Sequence, residues 1–175
     1  LPFSVKRSDR DDVYRICILG GSVAMGDPDP SYGLHRQLYH LLQERYPGVK
    51  FQVLNLAMTA IDSHIVRRIA SDSLQLHPDL VIIYMGHNEV MGPFGLNENW
   101  DRYFPARKNP KLSLAIRNLR IGQWIQQKSS WEETRTSWAG MKMYLNQEVE
   151  FSDPDLRKVY LRFRSNLKAI MRLYK

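Results

Sequence analysis

The sequence is poor in cysteine and in long apolar runs. Cys17 is its single cysteine, so no disulfide can form within the chain, and cysteine usage does not indicate a redox compartment. The longest clear apolar run, from Leu80 to Met85, is far shorter than the roughly 20 residues of a membrane-spanning helix. The chain begins with Leu1 and shows no signal peptide, which we interpret as a processed or truncated start. The sequence therefore assigns no compartment.

The composition predicts one globular domain. Of the 175 residues, 43% are hydrophobic and 25% are charged, which is too apolar for a disordered chain. The net charge of +7 is uneven: residues 1–96 carry 9 Lys/Arg and 10 Asp/Glu, whereas residues 97–175 carry 16 and 8. Because the positive residues of the second part are scattered along helical periodicities, we expect solvated helix faces and no nucleic-acid partner.

Strand and helix patterns alternate over residues 13–95. Short apolar, β-rich runs predict strands over 14–19, 51–56 and 79–85, the last without alternation and therefore covered on both faces. Apolar residues at helical spacing predict helices over 34–46 and 61–76, the second capped by Asp62 or Ser63. This alternation predicts right-handed crossovers and a parallel sheet. The expected fold is α/β, a three-layer α/β/α sandwich whose parallel sheet has flavodoxin-like order.

The rest of the chain departs from this alternation. Residues 97–111 are predicted to be a loop, and helices are predicted over 112–127 and about 138–148. Ser152-Asp153-Pro154 opens a last helix to about Tyr174, with an apolar face of Leu156, Tyr160, Phe163, Leu167 and Ile170. We expect a single domain over 1–175, with the motif-bearing core at 13–95, a helical, lid-like insertion at 97–150 and a returning helix at 151–175. No strand follows that helix, so we expect a fold that is incomplete at its C-terminal end.

The residues that could take part in a reaction lie in three loops, each of which follows a predicted strand. These loops are Gly20–Gly26, Asn55–Thr59 and Gly86–Glu89. In open parallel sheets, ligands bind beyond the carboxyl ends of the strands, where the strand order reverses. The three loops meet at that edge if the first strand lies between the second and the third.

Ser22 is the candidate nucleophile, since the two preceding glycines permit a tight turn that exposes its hydroxyl. Such a hydroxyl attacks a carbonyl when a base takes its proton, and the resulting oxyanion needs preorganised donors. The candidate donors are the backbone N–H groups of Ser22 and Ala57 and the side-chain amide of Asn88. Each motif also has a plain structural interpretation: a turn or anion-binding nest at Ser22, a strand-end cap at Asn55 and a turn former at Asn88.

Together the three loops resemble the signature blocks of the SGNH (GDSL-like) hydrolases. Gly20-Gly21-Ser22 with Gly26 resembles the first block, with Gly21 where the family has Asp. Asn55-Leu56-Ala57 resembles the second, with Ala57 in place of the oxyanion Gly. Gly86-His87-Asn88-Glu89 resembles the third, with Glu89 in place of the common Asp. The resemblance covers about residues 13–95.

This resemblance implies a serine ester hydrolase. Ser22 would be the nucleophile, and the Ala57 N–H and the Asn88 side chain would hold the oxyanion. The supporting residues would be Gly21, Asn55, Gly86, His87 and Glu89. The segments 138–143 and 163–167 resemble a subgroup that is often fused to tetratricopeptide repeats, which implies a bacterial protein with such repeats, or a membrane anchor, outside these residues.

The fourth signature block of the family, an Asp-x-x-His segment that supplies the general base, has no match. No His follows residue 95, and the five present are His35, His40, His64, His77 and His87. His64, in the first turn of the second helix, and His87, in the third loop, are the possible substitutes, although ordinary hydrogen bonding is the simpler explanation of both. We expect the base to lie beyond Lys175, and this chain to hydrolyse esters very slowly or not at all.

The sequence thus predicts ester hydrolysis by a nucleophilic serine, and the alternative is a non-catalytic ligand-binding or scaffold domain that keeps the same crevice. Small lipid esters, thioesters and acylated sugars are all admissible substrates, and the oligomeric state is left open. No cofactor is expected. No metal is expected either, because no pair of His, Cys or carboxylates has the spacing of a closed metal site. Whether the Trp-rich residues 100–138 form a lid or pack in a core is also left open.

Overall fold

The structure is a computed structural model that describes residues 12–96, 109–118 and 149–175. The chain divides into two compact units. The first unit comprises Leu1–Asn88 and Leu161–Lys175 and contains the whole described sheet, and the second comprises Glu89–Tyr160. Four parts of the predictions lie outside the described residues: residues 97–108 of the loop predicted over 97–111, the helical residues predicted at 119–127 and 138–148, and all four Trp.

Three parallel strands form the described sheet: β1 is Val13–Gly20, β2 is Lys50–Asn55 and β3 is Leu80–Tyr84. Their order is β2-β1-β3, and Cys17 at the centre of β1 lies beside Leu54 and Val81. This is the flavodoxin-like order for the first three strands. The predicted α/β class and parallel sheet are confirmed, and so is the central position of the first strand.

Six α-helices are described. They are α1 (Ser22–Met25), α2 (Leu34–Arg45), α3 (Ser63–Ser73), α4 (Asn88–Met91), α5 (Pro110–Asn118) and α6 (Pro154–Leu173). Two single-turn 3₁₀ helices, Pro30–Tyr32 and Leu74–Leu76, precede α2 and follow α3. None of the described helices is long and apolar enough to cross a membrane.

Helices cover both faces of the sheet, which gives three layers in the first unit. Adjacent residues of a strand point to opposite faces, so Ile18 and Leu19 of β1 serve different layers. One layer is built on α3 and α6, with a buried cluster of Leu19, Ile61, Val66, Ala70 and Ile170. The other is built on α1 and α2, with a cluster of Ile18, Ala24 and Ala57 against which Leu38 packs. Burial of each large aliphatic side chain contributes about 1.5–3 kcal/mol.

The strand β3 contributes to both layers, as its unbroken apolar pattern predicts. Val81 and Ile83 pack against the cluster of α3 and α6, whereas Ile82 packs against the cluster of α1 and α2. Leu80 and Tyr84, at the two ends of the strand, are 44% and 47% exposed. Cover on both faces is therefore confined to the middle of the strand.

Side-chain caps define where two of the long helices begin. Asp62 is the N-cap of α3, because its carboxylate accepts the His64 N–H at 3.0 Å, which decides between the two predicted caps. Asp153 does the same for α6, accepting the Asp155 N–H at 2.8 Å, with Pro154 as the first helical residue. The predicted start of the last helix is confirmed.

The start of α5 differs from the prediction. The prolines of 97–111 were expected to mark a loop, yet α5 begins at Pro110. Proline is favoured at the first position of a helix because its missing N–H has no partner there in any case. Asn109 precedes it and accepts the Leu112 N–H through its side-chain oxygen at 3.3 Å. A proline that opens a helix and one that breaks a helix look alike in the sequence.

The apolar face of α6 was predicted partly wrongly. Leu156 and Ile170 are buried as expected, but Tyr160 is 51% exposed and Val159 is buried in its place. A buried stripe on a helix advances by steps of three and four residues, and the first step from Leu156 is three, to Val159, whereas the prediction took four. Asn166, which the sequence gave no reason to place inside, is also buried.

Arg15 organises the amino edge of the sheet, opposite the three loops. Its guanidinium is buried, and its Nε donates to Gln52 Oε1 at 2.6 Å while Nη1 donates to the Leu76 carbonyl. Its backbone N–H donates to Asp79 Oδ2 at 2.7 Å, and the Asp79 N–H donates back to the Arg15 carbonyl at 2.8 Å. These contacts fix β2 and the entry to β3 against β1.

Candidate active site

The turn after β1 leads directly into the candidate nucleophile. Gly20, the last residue of β1, has no room for a side chain, because a Cβ there would overlap the Tyr84 carbonyl oxygen and lie 2.6 Å from the Ala24 Cβ. Glycine thus allows β3 and α1 to approach the end of β1 more closely than any other residue would. Ser22 follows two residues later as the first residue of α1.

Helix α1 is a single turn that backbone hydrogen bonds close at both ends. The Met25 N–H donates to the Gly21 carbonyl at 3.0 Å, and the Gly26 N–H donates to the Ser22 carbonyl at 2.9 Å. Gly26 has a φ of +94°, a left-handed conformation that glycine adopts without strain. The Ser22 side chain is half-buried, and no described residue hydrogen-bonds its hydroxyl. The backbone therefore fixes Ser22 while its hydroxyl stays available to a reactant.

The second loop is attached to the end of β1 by the backbone. The Leu56 N–H donates to the Ile18 carbonyl at 2.9 Å, and the Met58 N–H donates to the Gly20 carbonyl at 3.1 Å. These bonds extend the β1–β2 pairing beyond Asn55, the last residue of β2. The second loop consequently lies beside the turn that carries Ser22.

The carboxamide of Asn55 is fully engaged in holding this second loop. Its Nδ2 donates to the Met25 carbonyl at 3.0 Å and lies 3.0 Å from His35 Nδ1, while its Oδ1 accepts the Ala57 N–H at 3.1 Å. Burial, together with the nearby Arg36 guanidinium, lowers the pKa of His35. A neutral imidazole can accept at Nδ1, so the lowered pKa fits an N–H donated by Asn55. Asn55 connects the second loop to α1 and α2.

The same contact bears on the expected role of Ala57. Its N–H was predicted to be an oxyanion donor, but in the structure it donates to Asn55 Oδ1 at 3.1 Å. Its methyl group is buried in the cluster with Ile18 and Ala24. The oxyanion role of Ala57 stays a prediction, and it would require the N–H to leave or to share its present acceptor.

The third loop leaves β3 through a glycine that needs its conformational freedom. Gly86 has a φ of +142°, a region that residues with a side chain rarely adopt. The His87 ring then stands edge-on to the Tyr84 ring, with centroids 6.1 Å apart. Asn88 turns back toward the start of α3, where its Nδ2 donates to the Ile61 carbonyl at 2.9 Å.

The first and third loops meet at Gly21. A Cβ placed on Gly21 would lie 3.1 Å from Asn88 Nδ2 and 3.4 Å from His87 Nε2. The two side chains of the third loop therefore flank the residue that immediately precedes Ser22. The absence of a side chain at Gly21 leaves room for both, so the Asp that the resemblance would place here does not fit this arrangement without moving them.

His64 lies in the first turn of α3 in a strongly perturbed environment. Burial, followed by the Arg162 and Arg67 guanidiniums, lowers the pKa of His64 to about 4. The adjacent Ser63 is fully buried and accepts a hydrogen bond from Asn166 Nδ2 of α6 at 3.0 Å. His64 is therefore neutral near pH 7, and no contact in the described ranges joins it to the Ser22 hydroxyl.

The structure thus brings most of the predicted residues of the first unit together. Ser22 and Gly21 of the first loop lie with His87 and Asn88 of the third, and Asn55 and Ala57 lie on the second loop beside them. Glu89 belongs to the second unit, where its side chain is buried, and its supporting role stays a prediction.

The sequence analysis missed His35 as part of this site. Its imidazole accepts from Asn55, yet it was treated as an ordinary residue of the first helix. A signal for it exists, because His35 shares a helical face with Leu38 and Leu42 at spacings of three and four residues, and Leu38 packs in the core. The Ile61 carbonyl that holds Asn88 was also missed, and no local sequence pattern marks it.

Metal ligands do not cluster in the part of the chain that the structure describes. Within residues 12–96, 109–118 and 149–175, no group of three or more His, Cys, Asp or Glu side chains is arranged to hold a metal ion.

Comparisons with known proteins give matches among solved structures alone. No protein-family model matches the chain. No curated protein matches it either. Among the similar solved structures is TesA, at 18% identity and a TM-score of 0.40, with 66% of this chain and 55% of the TesA chain covered. The chain thus spans about half the length of TesA.

Two further solved structures cover more of the chain. A variant of Axe2, an acetyl xylan esterase from Geobacillus stearothermophilus, is 16% identical at a TM-score of 0.42, with 93% of this chain and 74% of that chain covered. AlinE4, an SGNH-hydrolase family esterase, is 14% identical at a TM-score of 0.40, with 91% and 96% covered. All three TM-scores are below 0.5.

Proposed function

We propose that this protein is a serine ester hydrolase with Ser22 as its nucleophile. The observation that supports the proposal is the position of the Asn88 amide against Gly21, next to the accessible Ser22 hydroxyl. Asn88 Nδ2 carries two N–H groups, and one of them donates to the Ile61 carbonyl at 2.9 Å. No described residue accepts the second, which we assign to a substrate oxygen. A hydroxyl beside a fixed amide donor is the arrangement that acyl transfer requires.

The reaction follows from these two groups. Ser22 Oγ attacks the ester carbonyl carbon, an Oγ–C bond forms, and the carbonyl oxygen becomes an oxyanion that accepts the second Asn88 N–H. The C–O bond to the alcohol then breaks, and the alcohol leaves with the proton that the serine lost. Water releases the acid from the acyl-serine through the same steps. The Ile61 carbonyl fixes the Asn88 amide before substrate arrives, which is the preorganisation on which oxyanion stabilisation depends.

The described histidines are poor candidates for the general base. His35 accepts from Asn55, and a pKa of about 4 makes His64 a weak base near neutral pH. We therefore assign the role to none of them. The proposed substrates are small esters as a class, with lipid esters, thioesters and acylated sugars equally compatible with a serine nucleophile and an amide donor.

A second candidate function is non-catalytic binding of an acylated ligand at the same place. It is favoured by one observation: no described residue hydrogen-bonds the Ser22 hydroxyl, whereas the hydroxyl of an activated serine contacts its base. In that case the Asn88 amide would bind a ligand carbonyl, and no bond would be made or broken.

Covalent labelling distinguishes the two functions. The full-length protein is treated with a fluorophosphonate, and the modified residue is located by mass spectrometry. The proposal predicts stoichiometric modification of Ser22, with loss of fluoride, that disappears in Ser22→Ala. Ser71→Ala is the matched control, since Ser71 is an exposed serine of α3 and its removal should leave labelling unchanged. A protein that remains unmodified at Ser22 yet binds an ester ligand would support the binding function instead.

A further inference from the structure

Two nitrogen atoms of the third loop converge on one point beside the candidate nucleophile. The point is the Cβ position of Gly21, which lies 3.1 Å from Asn88 Nδ2 and 3.4 Å from His87 Nε2. Asn88 is already proposed as an oxyanion donor, and His87 has no role in the reaction as described. The shared position raises the question of what the imidazole does there.

The placement of the His87 ring is defined by its neighbours. Its ring stands edge-on to the Tyr84 ring, with the planes at 71°, and Tyr84 is the titratable group in contact with it among the described residues. The His87 side chain is exposed, and no described residue hydrogen-bonds its Nε2. Within the described part of the chain, this ring nitrogen has no hydrogen-bond partner that would compete with a ligand.

One of the expected backbone oxyanion donors, the Ala57 N–H, already has a hydrogen-bond acceptor in the protein. Tetrahedral oxyanions in acyl transfer are generally held by more than one donor. Two backbone donors were expected, the N–H groups of Ser22 and Ala57, and the Ala57 N–H is hydrogen-bonded to Asn55 Oδ1, whose amide is in turn bonded to Met25 and His35. Freeing the Ala57 N–H would disrupt that network, whereas His87 Nε2 needs no rearrangement.

The geometry favours a donor over a base. An imidazole that takes the proton of a serine hydrogen-bonds that hydroxyl, and no described residue, His87 included, hydrogen-bonds the Ser22 hydroxyl. His87 Nε2 lies instead 3.4 Å from the Gly21 Cβ position, the same point that lies 3.1 Å from Asn88 Nδ2, and an amide nitrogen can only donate. Two donors within reach of one point can serve one anionic oxygen.

We propose that His87 is a second side-chain oxyanion donor, whose Nε2–H binds the same substrate oxygen as Asn88 Nδ2. This rests on the proposed function, because that oxygen belongs to an ester under attack by Ser22. The tautomer protonated at Nε2 and the imidazolium both carry this N–H, so the donor persists when the ring gains a proton. The reaction balance is unchanged, since His87 neither gains nor loses a proton in the step.

The test compares three variants of the full-length protein, His87→Ala, His87→Gln and His40→Ala. The readouts are kcat/KM for p-nitrophenyl acetate and the rate of fluorophosphonate labelling. His40 is the matched control, because it is exposed on α2 and its ring stands edge-on to the neighbouring Tyr39 at 5.6 Å, as His87 does to Tyr84. His87→Ala should lower both rates about 10²-fold, as expected for loss of one oxyanion donor. His87→Gln keeps a side-chain N–H and should retain most of the rate, and His40→Ala should match the wild type.

The outcomes separate this inference from the proposed function. Labelling of Ser22 that is equally fast in His87→Ala and the wild type overturns the donor role and leaves the serine hydrolase standing. A second outcome is that the rate falls equally in His87→Gln and His87→Ala and that the acid limb of the pH–rate profile disappears with His87. This outcome overturns the donor role in favour of a base. Absence of Ser22 labelling and of Ser22-dependent turnover in the wild type overturns both proposals together.

Discussion

The second and third loops each place an asparagine beside Ser22, but the two carboxamides are used differently. Both the amide nitrogen and the oxygen of Asn55 hydrogen-bond other residues of the protein, namely Met25, His35 and the Ala57 N–H. Asn88 donates one N–H to the Ile61 carbonyl, and no described residue accepts the other. The second loop is thus a fixed support, whereas the third carries groups that remain able to bind a ligand.

This difference shows why residue type alone is a weak guide to a site. Both asparagines follow a strand at the same edge of the sheet, and the resemblance to SGNH hydrolases covers both. Only the hydrogen-bond partners separate a structural asparagine from one that can donate to substrate. Substitutions should therefore affect stability at one position and reaction rate at the other.

The largest effect is expected for Asn88→Ala on reaction rate. Loss of the oxyanion donor should slow fluorophosphonate labelling of Ser22 about 10²–10³-fold. The loss of one hydrogen bond to Ile61 should lower the free energy of unfolding by only about 1 kcal/mol. Labelling kinetics and urea denaturation on the same preparation measure both quantities. A variant that labels at the wild-type rate would place Asn88 with Asn55 as a structural residue.

Asn55→Ala should affect stability more than reaction rate. The hydrogen bonds of the carboxamide to Ala24, Met25, His35 and Ala57 are lost, so the free energy of unfolding should fall by about 2–4 kcal/mol, measured by urea denaturation. The Ala57 N–H loses its acceptor in this variant. If the folded fraction then labels faster per molecule than the wild type, the freed Ala57 N–H acts as an oxyanion donor. An unchanged free energy of unfolding would contradict the supporting role of the second loop.

A smaller effect is expected for Gly21→Ala. The new methyl group would lie 3.1 Å from Asn88 Nδ2 and 3.4 Å from His87 Nε2 and would displace both by a few tenths of an ångström. Such a shift of donors should slow labelling roughly tenfold. Gly48→Ala is the matched control, because no atom lies within 4 Å of the position its Cβ would take. Equal rates in the two variants would mean that the third loop does not act beside Ser22.

The smallest effect is expected for His64, and it concerns how the free energy of unfolding depends on pH. Burial and the Arg162 and Arg67 guanidiniums lower the pKa of His64 to about 4 in the folded chain, below its ordinary value of about 6.5. The unfolded chain therefore binds more protons between these values, so the folded state should lose stability as the pH falls from about 6.5 to about 4. Urea denaturation across this window should show a shallower decline in His64→Gln. Identical pH dependence in the two proteins would contradict the burial of the neutral ring.

The meeting of the three loops could be predicted from the sequence, because it follows from one rule about parallel strands. Once the first strand lies in the centre, the loops after Gly20, Asn55 and Tyr84 must share an edge. Helix caps such as Asp62 and Asp153 were also predictable, since they depend on residues two positions apart.

The contacts that decide roles could not be predicted, because they join residues far apart in the chain. The Asn55 amide reaches His35, and Asn88 reaches Ile61, through side-chain conformations that only the folded neighbours select. The exposure of Tyr160 could not be predicted either, although it depends on residues close together in the chain. A helical period of 3.6 permits a step of three or four residues at each turn, and packing chooses between them.

The structure of the phosphonylated protein tests the central claim most directly. After attack by Ser22, the tetrahedral phosphonate carries an oxygen where the oxyanion of an ester would stand. We predict a covalent bond from Ser22 Oγ to phosphorus, with that oxygen about 2.7–3.1 Å from Asn88 Nδ2. An adduct on another residue, or a Ser22 adduct whose oxygens all lie away from Asn88, would contradict the account.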